Sequence, residues 1–237
     1  MADAASQFKG FSPAAIQFLA DLAQNNDRAW FQPRKAEYER LLKEPLEALC
    51  VVLGERFAAR GIPLRADSRS PFRIYRDVRF SKDKSPYKTH VSASFAWAGD
   101  GPPDPASGKA EEVRAGGGYF HFEPDEEFVG GGMWRPERPR LEAWRALVTG
   151  QSARLHEVID APAFTTAFGH LGGDRLQRVP PGYPADHPDA ELLKLKDVTF
   201  GRRLTTDEVL SPRLPDVLTD AFATAMPVMR LLAELPG

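Results

Sequence analysis

The segment from residue 72 to residue 90 holds the side chains best suited to bind a charged ligand. Between residues 65 and 90, eight Arg or Lys stand against three Asp, so this stretch carries about +5 in a chain whose total is −2. The remaining residues therefore carry about −7, and the positive charge is local. A local basic cluster predicts a binding site for a small anion, such as a phosphate or carboxylate group. The candidate ligand-binding residues are Arg73, Arg76, Arg79, Lys82, Lys84, Tyr87 and Lys88.

The second half of this segment, residues 79–90, has the composition of an anion-binding loop. Its lysines supply positive charge, while its serines, its threonine and the backbone N–H groups supply directed hydrogen-bond donors. It is not a phosphate loop of the Walker type, because it contains no glycine and no Gly-Lys-[Ser/Thr] sequence. The alternative is a solvated hairpin arm whose Lys and Asp side chains form ion pairs of small energetic value.

Arg76 interrupts the pattern of the first half of the segment. Residues 72–79 alternate between apolar and polar side chains, which predicts a β-strand, and Arg76 falls on the apolar side. A guanidinium group keeps its charge at neutral pH, so a buried one needs an acidic partner or a bound anion. We therefore predict that Arg76 is mostly buried and contacts a carboxylate or a ligand. A structural salt bridge and a β-bulge that turns Arg76 outward are the alternatives.

The candidate catalytic residues are His121, Glu123 and His90. Tyr119, His121 and Glu123 alternate along one predicted strand and so share one of its faces. The neighbouring strand offers only small side chains there, and His90 leads into that strand. A histidine beside a carboxylate can transfer protons, so these residues predict a pocket for proton transfer on an anionic substrate. The alternative is an ordinary polar face that is exposed or covered by a helix.

The sequence predicts no metal site and no cofactor. His156-Glu157 lacks the second histidine of a zinc-protease helix, and the histidines show no spacing typical of metal ligands. The single cysteine, Cys50, lies in an apolar run and is predicted to be a buried core thiol. The five histidines are His90, His121, His156, His170 and His187.

The elements that must position these residues form an α+β pattern. Helical periodicity dominates the first 61 residues and returns after residue 136, with a capping box predicted at Thr205 and Glu208. Between them, a two-residue period and short connections predict an antiparallel sheet with strands near 72–79, 91–97, 118–123 and 127–134. The Gly/Pro-rich segment 99–117 is predicted to be a loop at a hairpin tip. We predict a single domain, residues 1–237, in which an antiparallel sheet is flanked by N- and C-terminal helices.

Composition narrows the partners. A net charge of −2 does not favour nucleic acid as a partner, because proteins that coat nucleic acid are usually basic overall. The N-terminus has no apolar signal core, and no apolar run approaches the ~18 residues of a membrane span. We expect a cytoplasmic protein with no membrane partner. Nothing in the sequence indicates its oligomeric state.

Several of these motifs together resemble a known family, catalogued as domain of unknown function 2461. The resemblance is carried by residues 72–90, by Trp30-Phe31 and Arg34, by the Gly131–Pro136 segment and by Pro180–Pro188, in that family's order over roughly residues 8–235. It implies a stand-alone, mostly bacterial, cytoplasmic protein. It carries over no activity, cofactor or catalytic residue. Pro181 is a departure, since a Lys is expected before the following Gly, and this weakens any role for that loop.

Two functions compete at this stage. The first is an enzyme or ligand-binding domain for a small anion, which needs a concave pocket with convergent polar groups. The second is an interaction module whose basic arm binds an acidic protein surface or a nucleic-acid backbone, which needs a flat or protruding basic surface and would show a steep salt dependence. A purely structural fold without a ligand is the third possibility.

Overall fold

The computed structural model describes residues 8–98 and 117–236. The N-terminal part is helical, as predicted, with a 3₁₀ turn at Gln32–Arg34 and a π-helical turn at Glu39–Lys43. Its α-helices are α1 (Pro13–Gln24), α2 (Arg28–Phe31), α3 (Lys35–Tyr38) and α4 (Glu44–Arg60). The C-terminal helices are α5 (Arg138–Gly150), α6 (Ser152–Ile159), α7 (Pro162–Phe168), α8 (Ala190–Leu193), α9 (Thr206–Leu210) and α10 (Leu214–Ala233).

A five-stranded antiparallel sheet lies between these helical parts, which confirms the predicted α+β class. The strands follow one another in chain order from edge to edge. They are β1 (Leu64–Arg65), β2 (Val91–Trp97), β3 (Gly117–Phe122), β4 (Phe128–Met133) and β5 (Val198–Arg203). The predicted strands 91–97, 118–123 and 127–134 are thus confirmed as β2, β3 and β4. The sequence did not predict β1 or β5.

One face of the sheet packs on α4 and α10. Phe57 of α4, Phe95 of β2 and Phe222 of α10 meet edge to face, with ring centroids 5.5 to 5.8 Å apart. Phe120 and Phe122 of β3 are fully buried on the same face. The apolar half of the two-residue period therefore forms the core, and the polar half of β3 is left for the opposite face. Cys50 is buried in this core, as predicted.

The predicted strand at 72–79 does not form. Among the described residues, only isolated bridges pair this segment, Pro71 with Ala93 and Tyr75 with Tyr87. The side chains of Asp77 and Asp83 accept hydrogen bonds from the backbone N–H groups two residues on, and such local turns compete with a strand ladder. The alternating apolar residues therefore do not share one buried face, since Ile74 is buried but Phe80 is 95% exposed.

Other local predictions hold. The Thr205 hydroxyl and the Glu208 carboxylate form the predicted capping box at the start of α9. The predicted loop 99–117 lies outside the described residues, except for residue 117, which begins β3. The buried apolar side chains of the described residues form one connected core, while the single-domain organisation stays a prediction. No helix in the described ranges is long and apolar enough to cross a membrane.

Candidate functional site

The basic segment lies against one edge of the sheet. Residues 70–72 continue along the edge of β2 where β1 pairs, because Phe72 N donates to Ser92 O and Ser94 N donates to Ser70 O. The chain then leaves the sheet and returns, and the bridge between Tyr75 and Tyr87 closes the loop. Residues 76–86 therefore form an arm whose two ends are held together, and residues 87–90 lead directly into β2.

Tyr87 anchors the returning end of this arm. Asn26, just beyond α1, donates from Nδ2 to Tyr87 O over 2.9 Å and accepts from Tyr87 N at Oδ1 over 3.0 Å. The Tyr87 ring is 1% exposed and stacks on Phe31 with centroids 4.1 Å apart. The sequence proposed Tyr87 as a ligand contact, but its ring packs in the core, so its main role is to hold the neighbouring residues in place.

Much of the positive charge on the arm is paired locally. Arg76 forms an ion pair with Asp83, and Arg79 Nη2 lies 2.7 Å from Asp77 Oδ2. The hydrogen bonds from Arg79 lower the pKa of Asp77 to about 2, so that pair stays charged at neutral pH. Lys84 Nζ donates to the carbonyl of Val78 over 2.9 Å. This arrangement matches the solvated-arm alternative in part.

Arg76 is partly buried and paired with a carboxylate. The guanidinium has the predicted carboxylate partner, in Asp83, and the Arg76 side chain is 29% exposed, but Asp83 itself is more than half exposed, so the pair is not enclosed in the core. The partner belongs to the same arm, seven residues on, so the pair forms at the surface. Removing Arg76 would therefore not leave an unpaired charge in the core, and we expect no large loss of stability.

Three of the proposed ligand contacts, Arg76, Tyr87 and Lys88, border one polar cavity. This cavity has a volume of about 380 Å³ and lies between the end of α1 and the returning end of the arm. Arg79, Lys82 and Lys84 are exposed on the arm, and Arg73 borders a larger, mainly apolar cavity of about 740 Å³ next to α3 and α4. The residues lining the polar cavity are Ala23, Asn26, Arg76, Asp83, Ser85, Tyr87, Lys88, Thr89 and His90.

The candidate catalytic residues meet beside this cavity. Glu123 Oε2 lies 3.4 Å from His121 Nε2 and 3.8 Å from His90 Nδ1. The two imidazole rings are 4.3 Å apart. The β2–β3 register places His121 opposite Ser92 and Tyr119 opposite Ser94, as predicted, so the small serines leave room for the larger rings. We call His90, His121 and Glu123 the His–His–Glu cluster.

Neighbouring side chains hold the cluster in position. The Thr89 hydroxyl donates to Glu123 Oε1, and the Tyr119 hydroxyl lies 3.2 Å from His121 Nδ1. The ring of Phe128, from β4, stacks on His121 with centroids 4.9 Å apart. These contacts leave Glu123 Oε2 and His121 Nε2 facing each other, 3.4 Å apart.

Burial keeps both histidines of the cluster uncharged. The pKa of His90 falls to about 4, first because its ring is buried and then because His121 lies beside it. Burial also lowers the pKa of His121, although the nearby Glu123 opposes this shift. Both imidazoles are therefore neutral at pH 7, and each keeps a nitrogen lone pair that can accept a proton or bind a metal ion.

A second cavity opens on the other side of the cluster. It has a volume of about 520 Å³ and lies over the sheet face opposite the core. Glycines of β3, β4 and β5 form its floor, and aromatic rings form its walls. Its lining residues are Gly117, Gly118, Tyr119, His121, Phe128, Gly130, Gly131, Gly132, Trp134, Thr199, Phe200 and Gly201.

The cluster therefore lies between two cavities of different character. His90 borders the polar cavity and His121 borders the glycine-floored cavity, with their rings in contact. The sequence predicted that His90, His121 and Lys88 share one cavity. The structure groups Lys88 with His90 and places His121 on the far side. A ligand could therefore place a charged group in the polar cavity, on one side of the cluster, and an apolar group in the glycine-floored cavity, on the other side.

Sequence reasoning missed several residues of this site. The sequence indicated only that Asn26 lies at the end of a helix, but its side chain holds the arm in place. Thr89 was predicted to be one of several hydrogen-bond donors in the basic loop, but its hydroxyl orients Glu123. The glycines of β4 were expected only to weaken that strand, but they line a cavity. Contacts between segments that are distant in the chain bring these residues to the site.

A separate polar group surrounds His156 on α6. His156 Nδ1 lies 2.6 Å from Asp160 Oδ2, and His156 Nε2 lies 2.8 Å from Asp189 Oδ1. The hydrogen bond to Asp160, followed by that to Asp189, raises the pKa of His156. Because both ring nitrogens of His156 contact these carboxylates, this group links α6 to the segment before α8.

This link should make stability depend on pH. A raised histidine pKa adds stability that is complete below the ordinary value of about 6.5 and is lost as the pH rises through the raised value. We expect His156→Gln to lower the melting temperature by roughly 1–4 °C near pH 5.5, as for a partly exposed ion pair, and by less near pH 9. Thermal melts of both proteins at the two pH values measure this. An equal loss at both would contradict it.

Comparisons with known proteins agree with the family resemblance of the motifs. Searches of curated proteins and of solved structures found no match. The family model described as "Conserved hypothetical protein (DUF2461)" matches residues 14–230, which include the arm, the His–His–Glu cluster and both cavities beside it. The chain thus belongs to the DUF2461 family.

Proposed function

We propose that this chain binds a small anionic molecule in the polar cavity, with Lys88 as its main cationic contact. The observation that carries the proposal is that Lys88 and His90, a member of the His–His–Glu cluster, line one concave site together with several polar side chains. A concave site with a few convergent polar groups is the usual form of a small-molecule site. The predicted anion site is thus narrowed from the whole basic segment to its last few residues.

Lys88 is better placed for this role than the other lysines of the arm. Its backbone N–H donates to Ile74 O, and the preceding Tyr87 is fixed by Asn26. Its ammonium group lies 4.9 Å from the centre of the Phe72 ring, so an apolar surface supports the side chain. A cation held on a rigid frame binds an anion at a smaller entropic cost than one on a mobile arm.

The glycine-floored cavity suggests a more specific class of ligand. Its floor of glycines and its walls of Tyr119, Phe128 and Trp134 suit a flat apolar group. A molecule that carries a carboxylate or phosphate at one end and such a group at the other would reach both cavities. The His–His–Glu cluster would then lie beside the junction of the two parts, where an enzyme would act.

Titration with inorganic phosphate tests the proposal. Calorimetry in the presence of a chelator should detect binding to the wild type, and Lys88→Met should weaken it by about 10-fold or more, as for loss of a charged hydrogen bond. Lys84→Met is the matched control, because Lys84 is exposed and donates to Val78 O within the arm. We expect its affinity to stay within about twofold of the wild type, since surface changes of this kind are nearly neutral.

Two results would overturn the proposal: no phosphate binding by the folded wild type, or equal losses in the Lys88 and Lys84 variants. Equal losses would favour the second candidate function, an interaction module. One observation supports that alternative, because Phe80 is 95% exposed on the arm between Arg79 and Lys82. Binding of polyglutamate that falls steeply with salt and is lost in Phe80→Ser would then identify the arm as the binding surface.

A further inference from the structure

We infer that the His–His–Glu cluster binds a divalent transition-metal ion. Neither the motifs nor the family membership assigns a metal to this chain. The inference is independent of the proposed anion site, because it concerns only the contacts among His90, His121, Glu123 and their neighbours. It rests on the spacing of the three ligand atoms, on their chemistry and on the groups that orient them.

The spacing of the three ligand atoms is compatible with binding to one shared metal ion. Glu123 Oε2 lies 3.4 Å from His121 Nε2 and 3.8 Å from His90 Nδ1. One ligand atom from each of the three residues lies within 4.8 Å of those from the other two. Bonds of about 2.0–2.1 Å to a tetrahedral ion place neighbouring ligand atoms about 3.4 Å apart. A metal ion therefore fits between the three residues if the distances between their ligand atoms close by at most about 1.4 Å.

Direct hydrogen bonding explains this spacing less well. An N–H···O hydrogen bond normally spans about 2.7–3.2 Å, and charge shortens it further. The contact between His121 and Glu123 is longer than that, and the contact between His90 and Glu123 is longer still. By comparison, His156 contacts its two carboxylates at 2.6 and 2.8 Å. The cluster is thus more open than a histidine–carboxylate hydrogen-bond pair in the same chain.

The groups around the cluster orient its ligand atoms. If His121 Nδ1–H donates to the Tyr119 hydroxyl, the lone pair of His121 is at Nε2, which faces Glu123. The Thr89 hydroxyl occupies Glu123 Oε1 and leaves Oε2 towards the two histidines. Hydrogen bonds of this kind to histidine and carboxylate ligands are typical of metal sites, where they fix the tautomer and the direction of each ligand.

The ligand set indicates which ions would bind. Two imidazole nitrogens and one carboxylate oxygen suit Zn²⁺, Fe²⁺ or Co²⁺, whereas Mg²⁺ and Ca²⁺ prefer oxygen ligands alone. Three protein ligands also leave at least one coordination position open. An ion here would lie between the polar cavity and the glycine-floored cavity, where an open position is accessible to a small molecule.

Binding of Co²⁺ alone tests the inference. Protein freed of metal with a chelator and then dialysed should bind one Co²⁺ per chain, measured by calorimetry and by the visible absorption of the bound ion. We expect Glu123→Gln to weaken binding by about 100-fold or more, because it removes a charged ligand. Thr89→Val, which keeps the three ligands but frees Glu123 Oε1, should weaken binding by about 10-fold.

His156→Gln is the matched control, because it removes a histidine that also contacts two carboxylates, and it should leave Co²⁺ affinity unchanged. Circular dichroism establishes that each variant is folded. Absence of Co²⁺ binding in the folded wild type, or binding that survives Glu123→Gln, would overturn the inference. Loss of binding in the His156 variant would place the ion elsewhere and overturn it too. Since no phosphate is present, a negative result here leaves the anion site untouched.

Discussion

Replacing Gly132 by alanine should lower the free energy of unfolding by about 3 kcal/mol or more. Gly132 lies in β4 with φ at +114°, a backbone conformation that other residues rarely adopt. A β-carbon there would stand 2.2 Å from the carbonyl oxygen of Val198, in the neighbouring strand β5. The strain of the backbone and the overpacking each cost about 1–3 kcal/mol. Neither can be relieved without moving β5, because Gly132 is paired with Thr199.

Urea unfolding followed by circular dichroism measures this effect. Gly150→Ala is the control, because Gly150 ends α5 and nothing lies within 4 Å of an added β-carbon. Alanine is favoured over glycine in helices by up to about 1 kcal/mol, so the control should be neutral or slightly more stable. A Gly132→Ala protein whose stability falls by less than about 1 kcal/mol would show that β4 and β5 do not approach as closely as described.

Replacing Asn26 by alanine should release the basic arm while the rest of the fold remains. The Asn26 side chain makes two hydrogen bonds to the backbone of Tyr87, 61 residues away in the chain. Leaving the Tyr87 N–H and C=O without these partners costs about 1–3 kcal/mol for each group. We expect faster hydrogen exchange at the Tyr87 and Lys88 amides and a phosphate affinity at least about fivefold weaker, because Lys88 loses its frame.

Asn25→Ala provides the comparison for this variant. The neighbouring Asn25 side chain donates to Asp21 O within the end of α1 and is exposed, so its loss should leave the arm in place. Hydrogen exchange with mass spectrometry resolves the two cases. Unchanged exchange across residues 75–90 in the Asn26 variant would show that Tyr87 is held by its ring packing alone, without help from this clamp.

The part of the sheet that could be predicted is the part where a two-residue period and short connections both indicated neighbouring antiparallel strands. Strands β2, β3 and β4 follow one another closely and alternate apolar with polar side chains, so their order and the face of His121 were predictable. The strand β5 was not, because it pairs with β4 from more than sixty residues away and is interrupted by Gly201. The strand β1 contains only two residues and has no periodicity to detect.

The segment before β2 was misjudged because local side-chain bonds override its alternation. Asp77 and Asp83 each accept a hydrogen bond from the backbone N–H two residues on, and this favours turns over a ladder. Each also pairs with an arginine of the same arm, Arg79 and Arg76 respectively. Counting charges therefore overstated the charge available to a ligand. The sequence shows that each of these aspartates lies within seven residues of an arginine, but it does not show which side chains pair.

The cluster of His90, His121 and Glu123 shows the limit of motif reading. His90 and Glu123 are 33 residues apart, so no local spacing typical of metal ligands links them. Their proximity follows from the register of the antiparallel strands β2 and β3. Because Val91 pairs with Phe122, His90 just before β2 and Glu123 just after β3 lie at the same end of the sheet. The prediction that no metal binds was based on local spacing alone. It stays untested, and the geometry supports the opposite proposal.

Diffraction from crystals soaked in tungstate, a heavy analogue of phosphate, tests the central claim most directly. The account predicts an anomalous peak in the polar cavity, with a tungstate oxygen about 3 Å from Lys88 Nζ. The same soak of Lys88→Met crystals should lack that peak. Tungstate bound only to the exposed Lys82 or Lys84 of the arm, with the polar cavity empty, would contradict the account.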